Sequence, residues 1–472
     1  MTIRICGFIS LILNRFIKRY LLKILSILEK AILNMLNIPL LIILFVFFVL
    51  IIFSYSKSNL DFVAISLLCC FIAATITGLV TGIGFNQFIG FIEWEAIIII
   101  LSMSIITKIA QDSNILEFVA VKLFKLSRGD QRIFFWLLCI ITTLLAAIIS
   151  DVVVVLILAP IVVRLCHFLK IRAGTYLLGM TICINIGSIL TPFSSGENII
   201  ISTAFTQLDT LYFIQFYWII SFILLFMTIF LLDKFVLSKE PKIEELQKKF
   251  IIDLIDTDIM VKNKRMFYFN GIAIIITIIL FGILPLLYLT AVISALVLVL
   301  VNRSYTKKPM SELLKDIEWE ILFFFISLYV VVGCLIAAGF GELFELIPFQ
   351  VLNPFVLSFL ILIIISFISG VVANTPTALI FIPIIQLLVE PLPTGFGFSS
   401  VPLLFSLLIG INLGGNFLPS GAACDMMTLK IARDSGVENF SYKRLLKMGA
   451  LFASIHIGVT ILYLLVLVLL FG

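Results

Sequence analysis

The feature that most limits what this chain can become is a carboxylate set at the centre of a long apolar run: Ile133 to Cys166 is hydrophobic on both sides of Ser150-Asp151. An aspartate in hydrocarbon costs roughly 2.5 to 3.5 kcal/mol even on lenient insertion scales, so it must face protein or a wet cavity. The arrangement comes back. Ser150 to Pro160 reads S-D-V-V-V-V-L-I-L-A-P and Ala373 to Pro383 reads A-N-T-P-T-A-L-I-F-I-P, with Asp151 and Asn374 each nine positions before a proline. A second polar break follows each copy: N-I-G-S-I-L-T-P-F-S-S-G-E-N from Asn185 to Asn198, and N-L-G-G-N-F-L-P-S-G-A-A-C-D from Asn412 to Asp425. I-E-W-E precedes each, at Ile92 to Glu95 and Ile317 to Glu320. The I-E-W-E pair is 225 residues apart, the Asp151/Asn374 pair 223 and the Asn185/Asn412 pair 227, so the chain reads as two copies of one unit.

Over 472 residues, 62% are hydrophobic and 12% charged, more apolar surface than a water-soluble core can hide. The expectation is a multi-pass protein of the cell membrane, with the lipid bilayer as its main partner. Lys and Arg outnumber Asp and Glu by 32 to 27, but they fall between apolar runs, which makes them topology signals and gives no nucleic-acid surface. The eight cysteines form no C-x-x-C pair and are joined by only two histidines, so buried thiols are expected in place of a metal cluster or a disulfide framework.

In residues 1–37, Arg15, Arg19, Lys23, Ser26, Lys30 and Asn34 recur every three or four positions, which predicts a basic amphipathic helix in the membrane interface. The first transmembrane unit, 38–237, holds apolar segments at 38–56, 61–80 and 94–109, each near the ~20 residues that cross a bilayer. An amphipathic piece, 115–126, follows, and then the run around Asp151. Its halves, each about 16 residues at ~1.5 Å per residue, are too short to cross singly, so a re-entrant hairpin is expected here and again over 352–390. The segment 175–190 is broken by T-P-F-S-S-G-E-N, resumes at 199–205, and the unit closes with 211–237. A charged linker, 238–266, leads to a second unit, 267–472, that repeats the series.

Five crossings and one hairpin per unit turn the second copy upside down, so the predicted fold is all-α, with two inverted repeats that each carry a hairpin and a broken helix. Basic loops at 122–132, 239–265, 303–315 and 430–447 are expected in the cytoplasm, and the acidic loop Gly341 to Gln350 outside. The same parity puts the basic N-terminal helix outside, against that rule.

Three carboxylates lie in the polar breaks: Asp151, Glu197 and Asp425. Around them stand Ser150, Asn185, Ser188, Thr191, Ser194, Ser195, Asn198, Asn374, Thr375, Thr377, Asn412, Asn416 and Ser420. Hydroxyls, amides and unwound carbonyls are hard oxygen donors suited to Na⁺, with Asp151, Asn185, Asn374 and Asn412 as the leading ligand candidates, and half-helix N-termini suit an anion. A single serine or threonine among these is better explained by capping or helix–helix glue. Asp151 and Asn374 are not, because they hold the same place in two repeats. Glu93, Glu95, Glu318 and Glu320 flank tryptophans at span starts and read as interfacial anchors; His167 and His456 read as packing, and Lys108 as snorkelling from its span.

At these residues the chain resembles the ion transporter superfamily of citrate-transporter-like permeases, divalent anion/sodium symporters, arsenite permeases and a class of Na⁺/H⁺ antiporters, from about residue 38 to the end. That family's hairpin tips carry Asp-Asn or Ser-Asn-Thr with a proline nine residues after the Asn, matched by Ser150-Asp151 with Pro160 and by Ala373-Asn374-Thr375 with Pro383. Its N-x-G-G/S-x-x-T-P stretch is matched by Asn185, Gly187, Ser188, Thr191, Pro192 and Asn198. Asp151 stands where the family usually has Asn, Ala373 where it has Asp or Ser, and Asp425 where an Asn is expected.

The resemblance implies a homodimeric secondary transporter with an elevator motion, moving a small anion such as a di- or tricarboxylate, or an inorganic one, coupled to Na⁺ or H⁺ and needing no other cofactor. Three acids without Arg or Lys in the breaks fit a Na⁺/H⁺ antiporter or an arsenite efflux permease as the alternative. An ion channel is the alternative outside transporters. No pair of His, Cys or acids has catalytic spacing in an apolar span, so no enzyme activity is expected.

Overall fold

The computed structural model describes residues 37–55, 60–241, 261, 263–284, 286–306, 310–317, 319–345, 349–391 and 395–472. The basic helix expected over 1–37 and most of the charged linker lie outside them. Among the described residues every regular element is helical.

The first copy supplies α1 (Ile38–Tyr55), α2 (Phe62–Thr81), α3 (Trp94–Asp112), α4 (Ile115–Leu126), α5 (Gln131–Ala146), α6 (Asp151–Phe168), α7 (Ala173–Gly187), α8 (Gly196–Ala204), α9 (Thr210–Phe216) and α10 (Trp218–Phe235). The second supplies α11 (Lys264–Ile283), α12 (Leu287–Thr306), α13 (Trp319–Ala337), α14 (Pro354–Val372), α15 (Asn374–Val389), α16 (Ser400–Gly414), α17 (Ala423–Asp434) and α18 (Tyr442–Phe471). Nine apolar helices among the described residues are long enough to cross a membrane. Asp61, Asp130, Asp209, Asn263 and Ser441 cap their helices through the side chain, each accepting from a backbone N–H in the first turn.

The repeat is visible in where helices start and stop. The tip helix begins at Asp151 in one copy and at Asn374 in the other; the broken helix stops at Gly187 and Gly414 and restarts at Gly196 and Ala423. In both copies the arm before the tip packs on the first half of the broken helix, α5 on α7 and α14 on α16. Gly187 and Gly414 make that approach close: a Cβ on either would strike backbone, the Thr143 carbonyl in the first case and the Ser366 carbonyl in the second. The two arms before the tips differ in length: α14 has 19 residues and is long enough to cross by itself, whereas α5 has 16. The apolar Pro354–Val372 continues helical up to Ala373, about one turn further than its counterpart.

Contacts divide the chain along a different line from the duplication. One unit is Met1–Ile92 with Ser327–Leu352; the other is Glu93–Ile326 with Asn353–Gly472. In the first, α1 and α2 pack together, and Gly333 on α13 leaves no room for a Cβ against the Phe91 ring. The second contains every residue of both tips and both broken helices. There α3 packs with α11 and α12 around a buried amide pair: Asn270 Nδ2 donates to Asn302 Oδ1 at 2.7 Å, Asn302 Nδ2 returns a bond of 2.7 Å, and Asn270 Nδ2 also reaches Ser113 Oγ at 2.6 Å. Arg132 clasps Asp233 through both carboxylate oxygens at 2.6 to 3.0 Å, which pins the start of α5 to the end of α10. The described cysteines are free and buried. Lys108 pairs with Asp112 one turn on, at 3.6 Å, where snorkelling alone was expected. His456 is buried and shares a 2.7 Å hydrogen bond with Thr228, so it does more than pack.

Candidate functional site

Each tip places its polar residue at the first position of a helix. Asp151 opens α6 after Ser150, whose hydroxyl reaches its carboxylate at 3.4 Å. Asn374 opens α15 after Ala373, which takes φ 93° and ψ 159°, a region that costs a residue with a Cβ of the order of 1–3 kcal/mol. Proline cannot donate to the helix ladder, and Pro160 and Pro383 sit inside these helices at equivalent places. At the second tip the Ser369 hydroxyl donates to Asn374 Oδ1 at 2.7 Å, and Thr377 caps back onto the Ala373 carbonyl at 2.7 Å.

The first broken helix is held open by its own side chains. Asn198 Nδ2 donates to the carbonyls of Ser188 (2.5 Å) and Thr191 (3.1 Å), and Ser194 Oγ donates to the same two at 2.6 and 2.9 Å. Thr191 Oγ1 ties the break to the Ala147 carbonyl at 2.5 Å, just before the first tip, and Ser188 Oγ bonds back to Ile184 at 3.2 Å. These hydroxyls and carbonyls, expected as ion ligands, therefore satisfy the break itself, as buried backbone groups require.

The breaks meet across the two copies. Asn374 Nδ2 donates to Glu197 Oε1 at 3.0 Å, joining the second tip to the first broken helix. The first tip is matched to the second broken helix: α17 packs along α6, and the Cys424 thiol lies beside Asp151. Asn412 Nδ2 donates to Asn198 Oδ1 at 2.9 Å; in return Asn185 Nδ2 reaches Asp425 Oδ1 at 3.4 Å. Asn185/Asn412, Glu197/Cys424 and Asn198/Asp425 are each 227 residues apart, so bonds are exchanged between equivalent positions, the pattern an isologous contact makes. Glu197 and Asp425 both lie within electrostatic range of Asp151. The N-termini of α6, α8, α15 and α17 consequently gather on one group of three buried or half-buried acids.

Two atoms in this network have no partner. Asn412 spends Nδ2 on Asn198 and on the Leu408 carbonyl at 2.9 Å, and Asn198 must present Oδ1 because its own Nδ2 is held by two carbonyls. That logic leaves Asn412 Oδ1 as an acceptor without a donor. One turn on, Asn416 Oδ1 accepts from Asn185 Nδ2 at 2.7 Å, leaving Asn416 Nδ2 a donor without an acceptor. Thr375 and Ser420 are half-buried and are not drawn into the network.

The roles of Ser369 and Cys424 escaped the sequence reading. A Cβ on Gly415 would stand 2.6 Å from Asn374 Oδ1, so this glycine makes room for the tip. Cys424 Sγ donates to Asn185 Oδ1 at 3.2 Å and lies 3.6 Å from Asp425 Oδ1. Its position, 227 residues after Glu197, was the available signal. Among the described residues no three of His, Cys, Asp and Glu converge as a metal site, so a cation here would rest on amide and carboxylate oxygens.

The sequence profile of the citrate transporter family, CitMHS, matches residues 42–410. An uncharacterized transporter of Mycobacterium tuberculosis is 25% identical over 381 residues, spanning 79% of this chain and 86% of that protein. Another from Synechocystis is 22% identical over 394 residues, spanning 79% and 85%. Among solved structures, Neisseria gonorrhoeae MtrF, of a class of antimetabolite efflux pumps, is similar with a TM-score of 0.58 at 12% identity, over 82% of this chain and 83% of that one. The Alcanivorax borkumensis YdaH transporter, of unusual topology, gives 0.53 at 13% identity, over 81% and 87%. Both bear on the fold alone.

Proposed function

The chain belongs to the citrate transporter family, CitMHS, and from that premise we propose that this membrane transporter is secondary active, moving a small anion, a di- or tricarboxylate or an inorganic one, together with Na⁺ or H⁺. The observation that carries the reading is the pair of partnerless atoms one turn apart. Asn416 Nδ2 offers a hydrogen bond to an anion, and Asn412 Oδ1 offers a lone pair to a cation. Four helix N-termini, each worth roughly half a positive charge, favour the anion. The carboxylates of Asp151, Glu197 and Asp425 oppose it until cations offset them. Binding of each ion then improves binding of the other, and that reciprocal coupling is what a symporter needs.

The two copies act as inverted repeats whose tips close the site from opposite sides, re-entrant at each tip, in a homodimer with an elevator motion. Within the same site, the three acids without a Lys or Arg among the residues that make up the breaks favour cation exchange as the second reading. Uptake of radiolabelled citrate and succinate into proteoliposomes under Na⁺ or H⁺ gradients tests the first. Gradient-driven uptake abolished in Asp151→Ala and Asn374→Ala is the expected result, and undiminished uptake in both variants would remove it. A Na⁺-driven pH change with no organic substrate present would establish exchange instead.

A further inference from the structure

A cavity of about 470 Å³, open on one side, lies at the opposite end of α17 from Cys424 and Asp425. That volume falls within the ~300–1,000 Å³ of small-molecule sites. Helix α17 stops where Gly436 takes φ 69°: the Gly436 N–H returns to the Arg433 carbonyl at 3.1 Å and the Val437 N–H to that of Ala432 at 2.8 Å, so the chain doubles back over the helix end. The loop that follows is pinned on its other side. Gly174 N donates to Asn439 Oδ1 at 2.9 Å, the Arg444 guanidinium donates to the Asn439 carbonyl, and Ser441 caps α18. The hollow is therefore formed before anything enters it. Buried Leu429 and Phe440 with half-buried Val437 supply its apolar floor, and Arg433, Glu438 and Tyr442 stand exposed at its rim. Arg433 makes no ion pair among the described residues, although Glu438 lines the same cavity.

Depth and charge name the occupant. Helix α18 has 30 residues, about 45 Å at ~1.5 Å per residue against ~30 Å of hydrocarbon, so its first turns, where Lys443 and Lys447 are exposed, stand in the headgroup layer. Tyr442 opens that helix and lines the cavity, which puts the opening at headgroup depth. Exposed Lys430, Arg433, Lys443 and Lys447 outnumber exposed Asp434 and Glu438 here, on a loop expected at the cytoplasmic, anionic leaflet. Basic loops orient a membrane protein without a hollow, so topology alone leaves the cavity unexplained. We propose that this cavity binds the headgroup of an anionic glycerophospholipid, with Arg433 paired to the phosphate and the apolar floor against the glycerol and the first acyl carbons.

Arg433→Gln removes the charge without breaking an ion pair, and Lys239→Gln, an equal loss at an exposed position just before the linker, is the control. Val437→Trp fills the hollow and keeps every charge. Purified full-length protein in neutral detergent is titrated with phosphatidylglycerol and, separately, with phosphatidylcholine; bound lipid is counted by native mass spectrometry and the melting temperature is followed alongside. The wild type is expected to retain one phosphatidylglycerol per chain, with a raised melting temperature, and to release phosphatidylcholine. Affinity for phosphatidylglycerol should fall about tenfold in Arg433→Gln, vanish in Val437→Trp and stay unchanged in Lys239→Gln. A wild type that retains neither lipid, or both equally, overturns the inference without any variant having to fold. Equal loss in the Arg433 and Lys239 variants, or a Val437→Trp protein that still holds the lipid, overturns it too. So does a melting-temperature rise with inorganic phosphate that Arg433→Gln abolishes while no lipid is retained, which would assign the cavity to a free anion. Binding is read without transport, so the outcome is independent of the cargo.

Discussion

The two halves of the site keep one hydrogen-bond plan and distribute their acids differently. In the half built on Asn374 the tip is an amide and the carboxylate, Glu197, comes from the broken helix, 3.0 Å away. In the half built on Asp151 the tip is the carboxylate and the facing position is a thiol, Cys424. The asparagine behind each tip bridges to the other copy's broken helix, at 2.9 Å through Asn412 and 3.4 Å through Asn185. The geometry thus asks for one acid per tip pairing and is indifferent to which copy supplies it. The added acid at Asp425, where the other copy has Asn198, is what makes the halves unequal in charge.

The largest effects should come from removing charge while keeping shape. Glu197→Gln and Asp151→Asn each delete one acid of a pairing, and a lost charge-assisted contact of about 1.5–3 kcal/mol lowers uptake about 10- to 100-fold at 1.4 kcal/mol per decade. Initial uptake rates in proteoliposomes check this, and equal loss from the two variants would support equivalence of the halves.

Next comes the partner. Asn374→Ala strands the Glu197 carboxylate, which costs about 1–3 kcal/mol and should show as a lower melting temperature as well as lost uptake. The Asn270–Asn302 pair is the control outside the site. Asn270→Ala is expected to cost about 0.6–1.7 kcal/mol of stability, the range of interhelical hydrogen bonds in membranes, with uptake per folded protein unchanged. A transport defect there would blur the line between site and scaffold.

The smallest effect is at Ala373. Glycine tolerates φ 93°, so Ala373→Gly should raise stability by about 1 kcal/mol or less, seen as a modest rise in melting temperature.

Much of this was legible in the sequence because bilayer physics leaves few options. The apolar segments at 38–56, 61–80 and 115–126 are helices within a residue of those bounds, and both tips begin where a polar residue precedes a proline by nine. The repeat offsets carried over to helix ends and hydrogen bonds. What hydropathy could not give was the division of labour inside the breaks. A serine that ligates an ion and one that ties down a carbonyl look alike in sequence, and only the distances assign Ser194 and Thr191 to the second task. Cys424 was passed over because a thiol in an apolar run usually packs. Gly415 and Ser369 matter through neighbours distant in the chain, Asn374 in the first case and the Ile411 carbonyl in the second.

The most direct test moves the acid across one pairing. Glu197→Gln leaves the Asn374 pairing with no carboxylate, Asn374→Asp leaves it with two, and the double variant returns it to one on the opposite member, as in the Asp151 half. Gradient-driven uptake should be lost in each single variant and should recover in Glu197→Gln/Asn374→Asp. A double variant as inactive as its parents, or single variants that transport normally, would contradict a site shared between the two copies.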